Sequence, residues 1–258
     1  MKIITYSDLH LEFGTKLQPP QDSDADLMIL AGDVITFKDF MPLGKFLKDW
    51  KKPVLYVAGN HEYYTNKLMS QGNERFKAWL AENHQNVTFL QDEEISIDGV
   101  HFFGGTMWTD FDNSDIHAML IAKQQMNDYR VIMHPDNRRL KPEDTVAFHN
   151  NFIQKLIDWF EKDLQGARVV ITHNAPTLNR NTKYNNSPLR PAFNSLDMEK
   201  IIEKYQPNLW IYDHTHECDD QMIGDTRIIS NQLGYPGNSG HFECIDFDVN
   251  GMPVIIDN

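Results

Sequence analysis

Five apolar runs in this chain each stop at a short polar string. Lys2–Tyr6 precedes Asp8-Leu9-His10, Leu27–Leu30 precedes Gly32-Asp33, and residues 53–57 precede Gly59-Asn60-His61-Glu62. Arg168–Thr172 runs into His173-Asn174, and residues 209–212 run into Asp213-His214-Thr215-His216. Short, nearly all-apolar runs bounded by turns read as strands buried on both faces, which requires a sheet with layers on either side. In open α/β sheets the ligand crevice lies at the carboxyl ends of the strands. Residues far apart in sequence are therefore expected to meet at one edge. The strings supply two Asp, one Asn and four His as candidate metal ligands, with His61 left over.

The rest of the chain alternates in the same sense. Residues 40–50 carry Leu43, Phe46, Leu47 and Trp50 at helical spacing, and residues 66–83 place Leu68, Phe76, Trp79 and Leu80 on one side. Residues 87–90, 94–97 and 100–104 read as short strands, with Asp98-Gly99 as a hairpin turn. Residues 115–126 predict a helix. Residues 128–143 are polar and basic (Arg130, Arg138, Arg139) and read as an irregular insertion. Residues 144–164 form the clearest helix, with Val146, Phe152, Ile153, Leu156, Ile157, Phe160 and Leu164 in one stripe and Gly166 as a stop. Residues 177–193 read as a long loop, followed by a helix from Asn194 or Ser195 to Tyr205. Residues 226–229, 242–247 and 254–256 have β character. With no internal repeat and no separating linker, residues 1–258 are expected to form a single α/β domain with two sheets, the first half parallel and the second adding antiparallel character.

Composition narrows the partners. A chain of 258 residues with 41% hydrophobic content can bury one large core. Its net charge of -13 argues against long DNA or RNA, whose binding leans on Lys and Arg. Bound divalent cations would still make a positive pocket, which suits a small anionic ester. The two cysteines, Cys218 and Cys244, are too few for a disulfide scaffold and read as reduced thiols. The apolar start is interrupted by Asp8, His10 and Glu12, unlike a signal peptide, and no stretch approaches the ~20 apolar residues of a membrane helix. The expected location is cytoplasmic, with no membrane partner.

Imidazole nitrogen with carboxylate oxygen suits Mn, Fe or Zn. Asp8 and His10 are two apart, as are His214 and His216. A persisting strand conformation would aim each pair to one face. One such pair alone is common; five strings in order, each after a strand, are not.

As a set the strings resemble the calcineurin-like metallophosphoesterase superfamily, whose pattern runs Asp-x-His, Gly-Asp, Gly-Asn-His-Asp/Glu, His, Gly-His-x-His. The likeness spans Asp8 to His216. The strings Tyr6-Ser7-Asp8-Leu9-His10-Leu11-Glu12-Phe13, Gly59-Asn60-His61-Glu62-Tyr63-Tyr64 and Met107-Trp108-Thr109-Asp110-Phe111 resemble a bacterial and phage metallophosphoesterase branch more closely. The resemblance implies two mixed β-sheets packed as a sandwich flanked by helices. It implies two divalent ions, Mn or mixed Fe/Mn ahead of Zn. Asp8, His10, Asp33 and His216 would hold the first, and Asp33, Asn60, His173 and His214 the second. It also implies attack on a small phosphodiester or phosphomonoester by a metal-bound hydroxide, with His61 as proton donor.

Two positions depart from the pattern. The family Gly before the last His-x-His is Asp213 here, where a carboxylate could tolerate a left-handed turn and orient the imidazole of a ligand. Protein phosphatases of the family carry an Asp three residues after the Gly-Asp aspartate, paired with the catalytic His; here that residue is Thr36. Its loss tilts the expectation toward diesters. Asn174, Arg130 and Trp108 are candidate substrate contacts. A nuclease of the same superfamily and a non-catalytic binding module are the alternatives. Acidic charge argues against the first, and the complete ligand set against the second.

Overall fold

The computed structural model describes residues 1–179, 182–237 and 241–256. In chain order its strands are β1 (Lys2–Tyr6), β2 (Leu27–Leu30), β3 (Val54–Val57), β4 (Val87–Leu90), β5 (Glu93–Ile97) and β6 (Val100–Gly105), then β7 (Met133–His134) and β8 (Arg138–Arg139). There follow β9 (Arg168–Thr172), β10 (Leu209–Ile211), β11 (Asp219–Ile223), β12 (Thr226–Ser230) and β13 (Met252–Ile255). One sheet has the order β13-β1-β2-β3-β4 and the other β11-β12-β10-β9-β6-β5.

Each sheet is parallel at its centre. β1, β2, β3 and β4 run together, with β13 antiparallel at the edge. β6, β9, β10 and β12 also run together, with β5 and β11 antiparallel at the edges. The antiparallel character expected of the second half is therefore confined to the rims.

The period of two along each strand sorts side chains into layers. Ile3, Leu27, Ile29, Leu55 and Val57 face Phe102, Val169, Ile171, Leu209 and Ile229 in a core between the sheets. Their neighbours Tyr6, Met28, Leu30 and Tyr56 pack outward against Phe46, Phe76 and Leu80 of the helices Met41–Phe46 and Met69–Asn83. On the far side, Phe103, Val170, Trp210 and Ile228 lie under Phe152, Leu156, Trp159 and Ile202 of Pro142–Phe160 and Met198–Tyr205. A strand covered on both faces has no polar side, which is why these runs do not alternate. The architecture is a two-sheet sandwich flanked by helices.

Several expectations shift. The long helix begins two residues early, at Pro142, because proline suits a first turn and the Asp144 side chain accepts the Lys141 N–H. It ends at Phe160, short of Leu164. Strand β11 escapes the sequence reading because Asp219-Asp220-Gln221 is polar, as an edge strand can be. Residues 242–247 form no strand; they make a single bridge, Phe242 to Pro236. The insertion at 128–143 is ordered, with a short helix Asp128–Val131 and the hairpin β7-β8.

Candidate metal centre

The parallel strands of both sheets deliver their carboxyl ends to one edge. There the Ser7 N–H bonds to Asn231 O, the Asp8 N–H to Gly32 O and the Asp213 N–H to His173 O, which laces the loops together. The strand conformation does not continue into these loops. Asp8, His10, Asp33, His214 and His216 all have left-handed backbone, with φ between 43° and 74°. Side chains two apart therefore converge through tight turns and not through a pleat. Non-glycine residues held this way cost about 1–3 kcal/mol each, and they cluster at functional sites. The left-handed step near Asp213 falls on His214 (φ 74°), so Asp213 does not replace the family glycine in that role.

Three groups of ligating atoms lie within 4.8 Å of one another: Asp8, His10 and His216; Asp33, His173 and His214; and His10, Asp33 and His61. In the first, His216 Nε2 is 3.2 Å from Asp8 Oδ1 and 3.3 Å from His10 Nε2. In the second, His173 Nε2 is 3.7 Å from Asp33 Oδ1 and 2.8 Å from Asn60 Oδ1. Asp33 Oδ2 is also 4.0 Å from His10 Nε2, so this carboxylate faces both groups. Gly59 is obligatory beside it, because a Cβ there would sit 2.2 Å from Asp33 Oδ1.

A ring of acids holds the candidate ligands in place. The buried Glu62 accepts the N–H groups of Asp33, Val34, Ile35 and Gly59 and the Tyr56 hydroxyl, at 2.6–3.3 Å. It pins the loop after β2 to the loop after β3. Asp128 accepts from Asn60 Nδ2 at 2.8 Å, which turns Asn60 Oδ1 toward the cluster. Asp213 contacts Nδ1 of His173, not the adjacent His214. Glu243 is 2.6 Å from His216 Nδ1. Glu12 Oε1 lies 3.4 Å from His61 Nδ1 and 3.5 Å from His10 Nδ1, and the Tyr235 hydroxyl lies 2.6 Å from His61 Nε2. Both ring nitrogens of His61 are thus engaged by other groups.

The residues present fit divalent cations. Asp8 and Asp33 are fully buried beside imidazoles, and His10 Nε2 and His216 Nε2 point at the same spot. Burial, with Glu62 and Asp8 nearby, pushes Asp33 well above the carboxylate range. Burial likewise pushes Asp213 up, and pushes His173 well down and His214 to about 3. Burial also pulls His216 down, but Asp8 and Glu243 overcome it and raise that ring to about 9. Burial keeps His173 and His214 neutral and free to donate a lone pair, while the neighbouring carboxylates repel one another, and a shared cation would relieve that repulsion.

The cavity over this cluster holds about 220 Å³ and is walled by Tyr64, Asp128, Tyr184, Phe193, Tyr235 and Glu243 beside the ligating residues. The three candidate substrate contacts do not line it. Arg130 is exposed and bonds to Gln124 O. Trp108 is buried against Phe148, with its carbonyl facing His149 and Ser195. Asn174 is buried and bonds to Thr106 O and Ala192 O. Basic, aromatic or amide character near a motif says nothing about where tertiary packing aims the side chain. The residues that sequence reasoning passed over are Glu12, Asp128, Tyr235 and Glu243. Glu12 carries a usable signal, two residues beyond His10; Asp128 sits among the arginines of the insertion; the last two have none.

The family model for the calcineurin-like phosphoesterases matches residues 1–218. An uncharacterized protein of Acanthamoeba polyphaga mimivirus is 27% identical over 295 aligned residues, covering 100% of each chain. A UPF0046 protein of Caenorhabditis elegans is 26% identical over 249 residues, covering 92% of this chain and 71% of that one. Among solved structures, phosphopantetheinyl hydrolase from Mycobacterium tuberculosis aligns with a TM-score of 0.65 at 20% identity, covering 91% of this chain and 90% of that one; the likeness is one of fold. Among the described residues, no helix is long and apolar enough to cross a membrane.

Proposed function

This chain belongs to the calcineurin-like phosphoesterase family, and from that premise we propose that it hydrolyses a small phosphodiester or phosphomonoester at two divalent ions, with His61 as proton donor. Metal-dependent hydrolysis of phosphate esters is the activity of the family. The observation that carries the finer reading is Asp33, whose carboxylate faces two groups of ligating atoms while His61 adjoins them.

Asp8, His10, Asp33 and His216 would hold one ion, and Asp33, Asn60, His173 and His214 the other. Nitrogen and oxygen donors of this kind suit Mn, Fe or Zn. When bound, such a pair supplies charge stabilisation for the phosphoryl oxygens and a water acidified toward neutrality. In hydrolysis a water oxygen bonds to phosphorus, the ester P–O bond breaks, and the alcohol leaves with a proton. His61 is the donor for that proton, from Nε2, the nitrogen that now meets Tyr235. Glu12 at Nδ1 fixes the ring's orientation, the task performed elsewhere in the family by the Asp that Thr36 replaces. Glu243 and Asp128 hold His216 and Asn60 in their rotamers. Both acids also line the cavity. They disfavour a dianionic monoester relative to a singly charged diester, since like charges set together are costly.

The test pairs mono- and diester chromogenic substrates with added Mn. His61→Ala should keep its metal content and lose about 10²–10⁴-fold in turnover. Loss of metal in that variant would make His61 a ligand and overturn its role. Inertness toward both ester types under Mn, Fe and Zn would overturn the activity itself.

A further inference from the structure

Beside the metal cavity lies a larger one, of about 770 Å³. Leu17, Leu233, Phe242, Ile245, Phe247 and Val249 form its apolar wall. It is continuous with the catalytic centre in two ways. Glu243, which holds His216, lines both cavities. The segments that build it also begin in the site. Residues 15–17 follow Glu12, the partner of His61, and the Glu243 and Cys244 N–H groups bond to Tyr235 O and Leu233 O beside the cluster.

Phe13 stands beside two residues of the site, His10 and Tyr235. Its ring meets Tyr235 edge-on at 5.9 Å, and Phe13 is 55% exposed. Ile245 is 94% exposed, Val249 55% and Phe242 39%. Single exposed apolar residues are ordinary on any protein surface. Several gathered around a concave surface mark a place where something apolar binds. A volume in the range of small-molecule pockets, sharing Glu243 with the metal cavity, suits the organic part of a substrate.

We propose that this groove receives the organic part of the ester, so that the enzyme's substrates are phosphate esters of apolar alkyl or aryl alcohols. The proposal rests on the hydrolytic reading above. The phosphoryl group would sit over Asp33, and the apolar chain would pass Glu243, the residue that lines both cavities, into the groove.

The test is a series of p-nitrophenyl phosphodiesters whose second alcohol is methyl, butyl, octyl or phenyl, assayed on the Mn-loaded enzyme. Each methylene that enters the groove should raise kcat/KM by up to about fourfold. The variants Ile245→Asp and Val249→Asp change exposed side chains outside the catalytic machinery. They should leave the methyl ester's kcat/KM unchanged and abolish the rise with chain length. A flat series in the unmodified enzyme, or a rise that survives both substitutions, overturns the proposal. So does light scattering that shows a dimer split by Ile245→Asp, since the groove would then be a contact between copies. Failure to cleave even the methyl ester would instead strike the hydrolytic reading. In that event calorimetric binding of methyl- and octylphosphonate decides the groove on its own, with tighter octyl binding supporting it and equal binding refuting it.

Discussion

Asp33 and Tyr235 both line the metal cavity, but they are held differently. Asp33 is 2% exposed, its N–H bonds to Glu62, and its Oδ1 accepts the N–H of His61. It lies within the residues that match the family model. Tyr235 is 40% exposed and stands on a loop without regular strand, beyond those matched residues. That loop is tied down through a few main-chain bonds: Leu233 N–H to Ser7 O, Gly234 N–H to Asp8 O and Cys244 N–H to Leu233 O. One wall of the cavity is thus an extension of the sheets, and the other is laid over it. Strand ends give ligands the rigidity that metal geometry demands. A loop added across them can set what the site admits without disturbing the ions.

The largest expected contrast between the two walls is in metal and turnover. Asp33→Asn removes the shared carboxylate and should lower turnover by about 10³-fold or more, with metal content falling in parallel by elemental analysis. Full metal occupancy in that variant would refute the shared-carboxylate arrangement. Stability should separate the walls next. Glu62→Gln weakens several bonds to a buried charge and should cost about 2–4 kcal/mol in urea unfolding. Glu243→Gln, at the exposed wall, should cost less than about 1 kcal/mol. Equal costs would mean that the overlying loop is as integral to the fold as the strand ends.

The pH dependence of the metal-free protein divides along the same line. His214, on the buried wall, is lowered by burial from 6.5 to about 3, so the unfolded chain binds a proton that the folded chain refuses. Its contribution is complete above pH 6.5 and is lost as pH falls toward 3. His216, which Asp8 and Glu243 raise to about 9 against the pull of burial, contributes fully below 6.5 and loses that contribution as pH rises through 9. With chelator present, the combined contribution of these two histidines is therefore greatest near pH 6.5. His214→Asn should make the acid side less steep, and Glu243→Gln should make the alkaline side only slightly less steep, because Asp8, the stronger influence on His216, remains. A wild-type profile still rising at pH about 8.5 would contradict the assignment. The smallest effect is expected from Tyr235→Phe, which removes one hydroxyl from His61. Turnover should fall about two- to tenfold, the worth of one hydrogen bond, with metal content unchanged. A loss as large as that of His61→Ala would place Tyr235 within the catalytic machinery.

Much of the fold was legible in sequence because strands buried on both faces leave an unmistakable mark. Ile3 to Tyr6, Met28 to Leu30 and Val169 to Ile171 are buried on both sides and apolar but for Thr5, and each stops where the chain reaches the open edge. β11 was not legible, because an edge strand can be polar. Nor was the loop that carries Tyr235 and Glu243, whose position comes from main-chain bonds to Ser7 and Asp8 that no side chain announces. Asp128 was hidden for a related reason: it looks like any acid in a polar stretch until the insertion folds Asn60 against it.

What the sequence determined by itself is the inventory and its order: which residues can bind a metal, and that each follows a strand. Covalent succession guarantees that much, since a buried run followed directly by Asp or His must present that residue at the sheet edge. What only the tertiary structure decided is the pairing. Asp213 turns to His173 instead of its neighbour His214, Glu12 from the loop after β1 reaches His61 after β3, and five candidate ligands adopt left-handed backbone. Such turns are unfavourable for an isolated chain. They persist because the loops are locked from both sides, by Glu62 beneath one sheet's edge and by the main-chain bonds that join it to the other.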